Sequence, residues 1–226
     1  MIAANLEEVR ARIDQACARC GRDPKEVTLI AVSKTKPLED LQAAYAAGSR
    51  DFGENKVQEI VSKEPEMPED ARFHMIGHLQ RNKVKQVLKH VVMIHSVDSV
   101  RLAQQIQEDA VKEGIHVDVL LEVNVAKEES KFGFLPEEVE EALETIRNFS
   151  NVHIRGLMTI APFVEDSEEN RPVFQKLYQL AVDIKSKNID NVTMAVLSMG
   201  MTGDYEVAVE EGATMIRVGT GIFGAR

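Results

Sequence analysis

The chain of 226 residues is 44% hydrophobic and carries 27 basic against 37 acidic side chains, a formal balance of −10. That apolar share supports a sizeable core and excludes a disordered chain, and the length fits one large domain, barrels included. The acidic balance argues against nucleic acid as a partner, because phosphate backbones are met by a net basic surface. No apolar run is long enough for a membrane span, and the N-terminal segment carries acids where a signal peptide needs apolar residues, so a cytoplasmic protein without membrane contact is expected.

In chain order, the first amphipathic stretch stops at Gly21 and contains Cys17 and Cys20. A C-x-x-C pair serves redox chemistry in a thioredoxin-like βαβ setting, and zinc where two more ligands are near. Neither context is present, so both cysteines read as small residues on the inward side of a helix. From Val27 onward, short apolar runs alternate with amphipathic stretches. Strands are expected at Val27–Lys34, Asp51–Glu54, Phe73–Gly77, Val92–Val97, Val117–Val125, Ile154–Ile160, Met194–Met199 and Met215–Gly219. Most are rich in Val, Ile and Leu without polar alternation, as parallel strands buried on both faces require.

The stretches between them carry helical spacing: Ala103, Ile106 and Ala110; then Val139, Ala142, Leu143 and Ile146 behind Pro136-Glu137-Glu138; then Phe174, Leu177, Ala181 and Ile184. Gly48, Gly114 and Gly212 stand where helices should stop. Eight strand–helix alternations predict the α/β class and a single (β/α)8 TIM barrel over residues 1–226, preceded by an extra N-terminal helix. An open doubly wound sheet is the rival, but Thr35-Lys36-Pro37 after the first strand has no phosphate-loop glycines. The acidic Glu165–Asn170 segment reads as a solvated loop.

Barrel chemistry sits at the C-terminal strand ends. The first strand ends in Ser33-Lys34, and alternation puts Lys34 on one face with Val32 and Ile30. A lysine in apolar surroundings is a nucleophile toward carbonyls; a lysine that merely snorkels to solvent is the equal alternative. Arg217, inside the last strand, is a charge that needs an acceptor or an anion. Gly219-Thr220-Gly221 after it offers backbone N–H groups and a hydroxyl with little bulk, as does the Ser198-Met199-Gly200 turn on the strand before. The loops after the seventh and eighth strands are where barrels commonly hold phosphates. Asn55 is placed to contact a ligand, and Glu54 to pair with a strand lysine or arginine. His74 and His78 read as structural, Arg81, Lys83, Lys85 and Lys89 as a solvated helix face. Lys131, in a loop expected over the barrel mouth, is a second and more exposed amine.

These motifs resemble one known family. AVSK at Ala31–Lys34, FGEN-x-VQE at Phe52–Glu59, IGHLQ-x-NK at Ile76–Lys83, SVD at Ser96–Asp98, ESK-x-G at Glu129–Gly133, RGLM at Arg155–Met158, LSMGM at Leu197–Met201 and R-V-G-T-x-I-F-G at Arg217–Gly224 together resemble the pyridoxal 5'-phosphate homeostasis proteins. These are single-domain relatives of the barrel half of alanine racemase. Lys56 stands where a tyrosine is frequent, and Thr202-Gly203-Asp204 where Ser-Asp-Asp is frequent.

The resemblance implies a Schiff base between Lys34 and pyridoxal 5'-phosphate (PLP). It implies that Ser198, Gly200, Gly219 and Thr220 hold the phosphate, that Arg217 faces the pyridine nitrogen, and that Asn55 and Met158 lie near the ring. Alanine racemase adds a tyrosine base from the C-terminal domain of a partner subunit. This chain is expected to lack that domain and to be a monomer, and of Tyr45, Tyr178 and Tyr205 only Tyr205 is expected near the site. Three readings compete: a non-enzymatic PLP binder that buffers the cofactor or delivers it to apo-enzymes, a PLP-dependent amino-acid racemase, and a Schiff-base aldolase on a sugar phosphate.

Overall fold

The computed structural model describes residues 1–225. Eight parallel strands pair in sequence order: β1 (Thr28–Val32), β2 (Asp51–Glu54), β3 (Arg72–Met75), β4 (Met93–Val97), β5 (Val117–Glu122), β6 (Val152–Met158), β7 (Val192–Met201) and β8 (Met215–Val218). Pairing of β8 with β1 closes the barrel. The helices are α1 (Ile2–Cys20), α2 (Leu38–Ala46), α3 (Val57–Lys63), α4 (Val84–Val87), α5 (Val100–Glu113), α6 (Val139–Ile146), α7 (Arg171–Ser186), α8 (Tyr205–Glu210) and α9 (Thr220–Phe223).

Local chemistry sets their ends. The Ser99 side chain accepts from the Leu102 N–H and opens α5, and Gly114 closes it at φ 68°. Each strand divides its residues between two environments. Ala31, Phe52, Phe73, Ile94, Leu121 and Ile216 face outward and are buried with Leu41, Ile60, Ile106, Leu143 and Phe174 of the helices in one large core. Met93, Leu120 and Met158 form a second, smaller cluster, with Val196 and Met215 against it. Among the described residues the apolar filling of the interior is therefore thin, and polar groups occupy much of the rest.

The expected barrel is present, with several corrections. β1 ends at Val32, so Lys34 lies in the turn beyond it rather than on the strand; Thr35 follows at φ 63°. β7 runs longer than expected, and β5 stops at Glu122 because its partner strand β6 stops at Met158. Cys17 is buried, but Cys20 is exposed, one step round the helix, where its thiol donates to the Ala16 carbonyl. Asn170 is buried rather than solvated, donating to Pro162 O and to Asp204.

At the irregular β6–β7 register, an added Cβ on Gly156 would lie 1.8 Å from the Val196 carbonyl oxygen. Backbone on both sides leaves nothing to yield. Gly156→Ala is expected to lower stability by about 3 kcal/mol, read as a shift of the urea midpoint; an unshifted midpoint would refute this account of the β6–β7 contact.

Candidate functional site

The Lys34 turn is held from the helix layer. Ser33 points outward, and its hydroxyl donates to Glu54 Oε1 at 2.7 Å. The Thr35 N–H donates to Glu59 Oε2 at 2.8 Å. Lys63, on α3, joins these acceptors by donating to Glu54, Glu59 and the Ser33 carbonyl at 2.8, 2.7 and 3.1 Å. The Glu54 partner is thus a helix lysine, because Glu54 faces outward, away from the barrel interior. Burial pushes the Glu54 carboxyl up to about 7 despite Lys63 and Ser33, whereas Lys63 and the Thr35 amide hold Glu59 below its ordinary range against its partial burial. Three contacts converge on the residues either side of Lys34, which fixes a strained non-glycine turn.

Lys34 itself points to the barrel mouth, where a cavity of about 710 Å³ opens. Its wall includes Val32, Lys34, Asn55 and Ile76 on one side, Met201–Asp204 on another, and Arg217, Gly219 and Thr220 on a third. Lys131 and the segment Ile160–Val164, with fully exposed Phe163, form the rim. Lys131 is tied down by Glu128 and the carbonyls of Ile160 and Ala161. The loop that carries it is further held by a stack of Phe132 on His78, whose Nδ1 lies 3.0 Å from Asp98.

Five of the eight expected contact residues, Lys34, Asn55, Arg217, Gly219 and Thr220, line this one cavity. Three do not. Met158 is fully buried in the small interior cluster beneath it. Gly200 packs against α8, where an added Cβ would lie 2.5 Å from Ala208 Cβ. Ser198 is fully buried, with its hydroxyl 2.6 Å from Arg217 Nη1 and 2.9 Å from His95 Nδ1. The second Arg217 amine donates to Thr159 O at 2.8 Å. The acceptors that Arg217 requires are therefore neutral oxygens, and burial lowers its guanidinium to about 10.

Thr202, which the sequence marks only as part of a departure from the family wording, also lines the cavity. Its hydroxyl accepts from the N–H groups of Gly219 and Gly221 at 3.3 and 3.4 Å, both long. Both amides lie at the head of α9, and that of Gly219, with the Thr202 and Thr220 hydroxyls, gives a small neutral donor set at the cavity wall. A hydroxyl three residues beyond Met199 on the seventh-strand turn was the available signal. No tyrosine lines the cavity among the described residues; Tyr205 is instead buried in α8. Of the basic stretch after β3, Lys85 and Lys89 both meet Glu113 on the protein's own surface.

A lysine and phosphate-sized donor set at the mouth of a closed parallel barrel define a class. Residues 4–226 match the family model described as alanine racemase, N-terminal domain. Within it, the chain belongs to the pyridoxal phosphate homeostasis protein family. It is 45% identical over 222 residues to the pyridoxal phosphate homeostasis protein of Aquifex aeolicus, covering 98% of this chain and 96% of the relative. PipY of Synechococcus elongatus, solved with PLP bound, superposes with a TM-score of 0.86 at 36% identity, over 99% of this chain and all of that one. Alanine racemase of Clostridium difficile shares the fold with a TM-score of 0.78 at 14% identity, and this chain covers 56% of it.

A second acid, below the cavity, is pushed as far from its ordinary range as Glu54. Glu122, at the end of β5, faces inward below the mouth; burial and the neighbouring Asp98 charge push it up to about 7, with Arg217 opposing. A carboxyl raised in the folded chain contributes stability that is complete below its ordinary 4.5 and is lost as pH climbs through about 7. Glu122→Gln removes that titration. Between about pH 5 and about pH 8 the natural chain should lose on the order of 1–3 kcal/mol relative to Glu122→Gln, read from urea midpoints at the two pH values. Parallel pH profiles would show that Glu122 ionises normally.

Proposed function

We propose that this protein holds PLP as a Schiff base on Lys34 and contributes to intracellular PLP homeostasis by buffering the cofactor or delivering it to apo-enzymes. The observation that carries this reading is the convergence of Lys34, Arg217, Gly219 and Thr220 on one cavity. The residues fit the group: an amine for the aldehyde, backbone amides and the Thr202 and Thr220 hydroxyls for the phosphate, and a buried cation for the pyridine nitrogen. PLP supplies an aldehyde and a ring that accepts electrons when its nitrogen is protonated. Asn55 is placed beside the ring. Ser198 acts from beneath, through Arg217, while Met158 and Gly200 pack behind the residues that line the cavity.

The same geometry favours a carrier over the racemase reading. A guanidinium at the pyridine nitrogen weakens the electron sink but is shared with alanine racemase; what separates the readings is that racemisation needs a second base opposite the lysine. The tyrosine expected nearest, Tyr205, is packed in α8 away from the cavity wall. A monomer in the cytoplasm is the matching assembly and place. No helix among the described residues is long and apolar enough to cross a membrane.

Borohydride reduction of PLP-loaded protein followed by peptide mass mapping should place the label on Lys34. Label chiefly on Lys131 or Lys36 would overturn the assignment. The loaded protein should turn over no common D- or L-amino acid in an assay where a known racemase is active; robust turnover lost in Lys34→Ala would restore the enzyme reading. Because much of the affinity is assigned to the phosphate cradle, pyridoxal should bind at least about tenfold more weakly than PLP, on the scale of one charge-assisted hydrogen bond. Thr220→Val should weaken PLP itself. Equal titration curves for the two ligands would make those turns structural.

A further inference from the structure

A closed barrel interior is ordinarily filled by branched apolar side chains. Here, besides Glu122 on β5, five inward residues on five strands are polar and less than a tenth exposed: Asp51 on β2, His74 on β3, His95 on β4, Ser198 on β7 and Arg217 on β8. They form one unbroken line of contacts. Asp51 Oδ1 lies 3.0 Å from His74 Nε2, and His74 Nδ1 lies 3.0 Å from His95 Nε2. His95 Nδ1 lies 2.9 Å from Ser198 Oγ, which accepts from Arg217 at 2.6 Å. The line starts at the first residue of β2, where Arg72 pairs with Asp51 at 2.6 and 2.8 Å, and ends at the cavity wall.

Counting donors fixes its protons. Asp51 is an anion, held down to about 2 by Arg72 and His74 against the effect of burial, so it only accepts. His74 Nε2 must then carry a proton. With His74 neutral, its Nδ1 accepts, so His95 Nε2 carries the next proton and His95 Nδ1 accepts in turn. The Ser198 hydroxyl is left to donate to His95 while its oxygen receives Arg217. Every contact is satisfied in one direction, from the cation at the mouth to the anion at the far end. A proton added to either histidine breaks this order: Ser198 Oγ would receive both an imidazole N–H and a guanidinium N–H, and a second cation would stand beside Arg217. Burial, and the charge of Arg217 with it, oppose such protonation of His95.

We propose that His95 is a positioning residue which, as the neutral Nε2–H tautomer, orients the Ser198 hydroxyl and through it holds Arg217 toward the cavity. The tautomer is set from the opposite end of the barrel by Asp51. This deepens the PLP-binding reading and rests on it only for the consequence at the ring; the proton arrangement is a property of the chain alone. The otherwise costly polar interior is thereby explained, since a guanidinium with only one neutral acceptor would be free to rotate away from a ligand nitrogen.

The test uses the full chain with ¹⁵N-labelled histidine, first without PLP. Long-range ¹H–¹⁵N spectra should show His95 as the neutral Nε2–H tautomer throughout about pH 5 to 8, the range in which a free imidazole would titrate. An Nδ1–H tautomer at His95, or its titration in that range, overturns the proposal. PLP is then added to His95→Phe and Ser198→Ala, neither of which alters a cavity-lining residue. Both should still take the borohydride label on Lys34, yet bind PLP about tenfold more weakly with a displaced absorbance band, the scale of one charge-assisted hydrogen bond. Unchanged affinity and spectrum in either folded variant would reduce the line to a structural role. If His95→Phe does not fold, Ser198→Ala and the spectra of the natural chain still decide. Loss of the Lys34 label in the natural chain would instead sink the PLP reading while leaving the imidazole result standing.

Discussion

A guanidinium buried inside a closed barrel is the constraint around which the rest of this structure is arranged. Arg217 is 4% exposed, and its charge cannot be left without acceptors in that setting. A carboxylate beside it would satisfy it but would also cancel the field it presents at the cavity. The structure uses two oxygens without charge, the Ser198 hydroxyl and the Thr159 carbonyl, and so keeps a net cation at the wall. The Thr159 hydroxyl donates to the Val123 carbonyl, so the acceptor is itself tied to the segment that follows β5. The nearest acid, Glu122, is pushed toward its neutral form, which preserves the same imbalance.

The two faces of the strands carry different duties. Inward residues present groups to the cavity, while outward ones at the same level hold the backbone that presents them. Ser33 and Glu54 illustrate the second. Neither reaches the cavity, yet with Lys63 and Glu59 they pin both neighbours of Lys34 and hold Thr35 in a left-handed conformation that a side chain rarely adopts. The FGEN-x-VQE motif is thereby accounted for by its acids: Glu54 and Glu59 act on the turn after β1, and Asn55 between them faces the cavity.

Much of this was legible from residues alone. Eight apolar runs separated by helical spacing gave the barrel, and alternation put Lys34 on the inward face with Val32 even though the strand stops short of it. What stayed hidden depends on contacts between strands distant in sequence. His74 shares the inward phase of Ile76, but nothing local shows that His95 and Asp51 meet it, because the barrel register brings them together. Ser198 read as a phosphate ligand because a serine before glycine at a strand end usually has a free hydroxyl; here it lies a turn deeper, beneath Arg217. The sequence marks Thr202 only as a departure from the family wording, because only the approach of α9 gives its hydroxyl two amides to meet.

The interior polar line and the outer lysine turn bear on holding and releasing in separate ways. A reversible bond to an amine can be retained with modest non-covalent contact, so the surrounding pocket need not enclose its ligand. The cavity agrees: its rim is short loops, with Phe163 fully exposed rather than folded over the mouth. The donor set is neutral, the Gly219 amide and two threonine hydroxyls, with a hydrogen bond of 3.3 Å to Thr202 that a phosphate oxygen would improve upon. On the proposed reading, affinity would come from a bond to Lys34 and from fixed dipoles, neither of which requires a lid to open before the ligand departs. The group held most firmly is Arg217, fixed from beneath the cavity by the Ser198 hydroxyl and the Thr159 carbonyl. Rigidity is thus concentrated in the barrel interior below the cavity, and openness at its mouth.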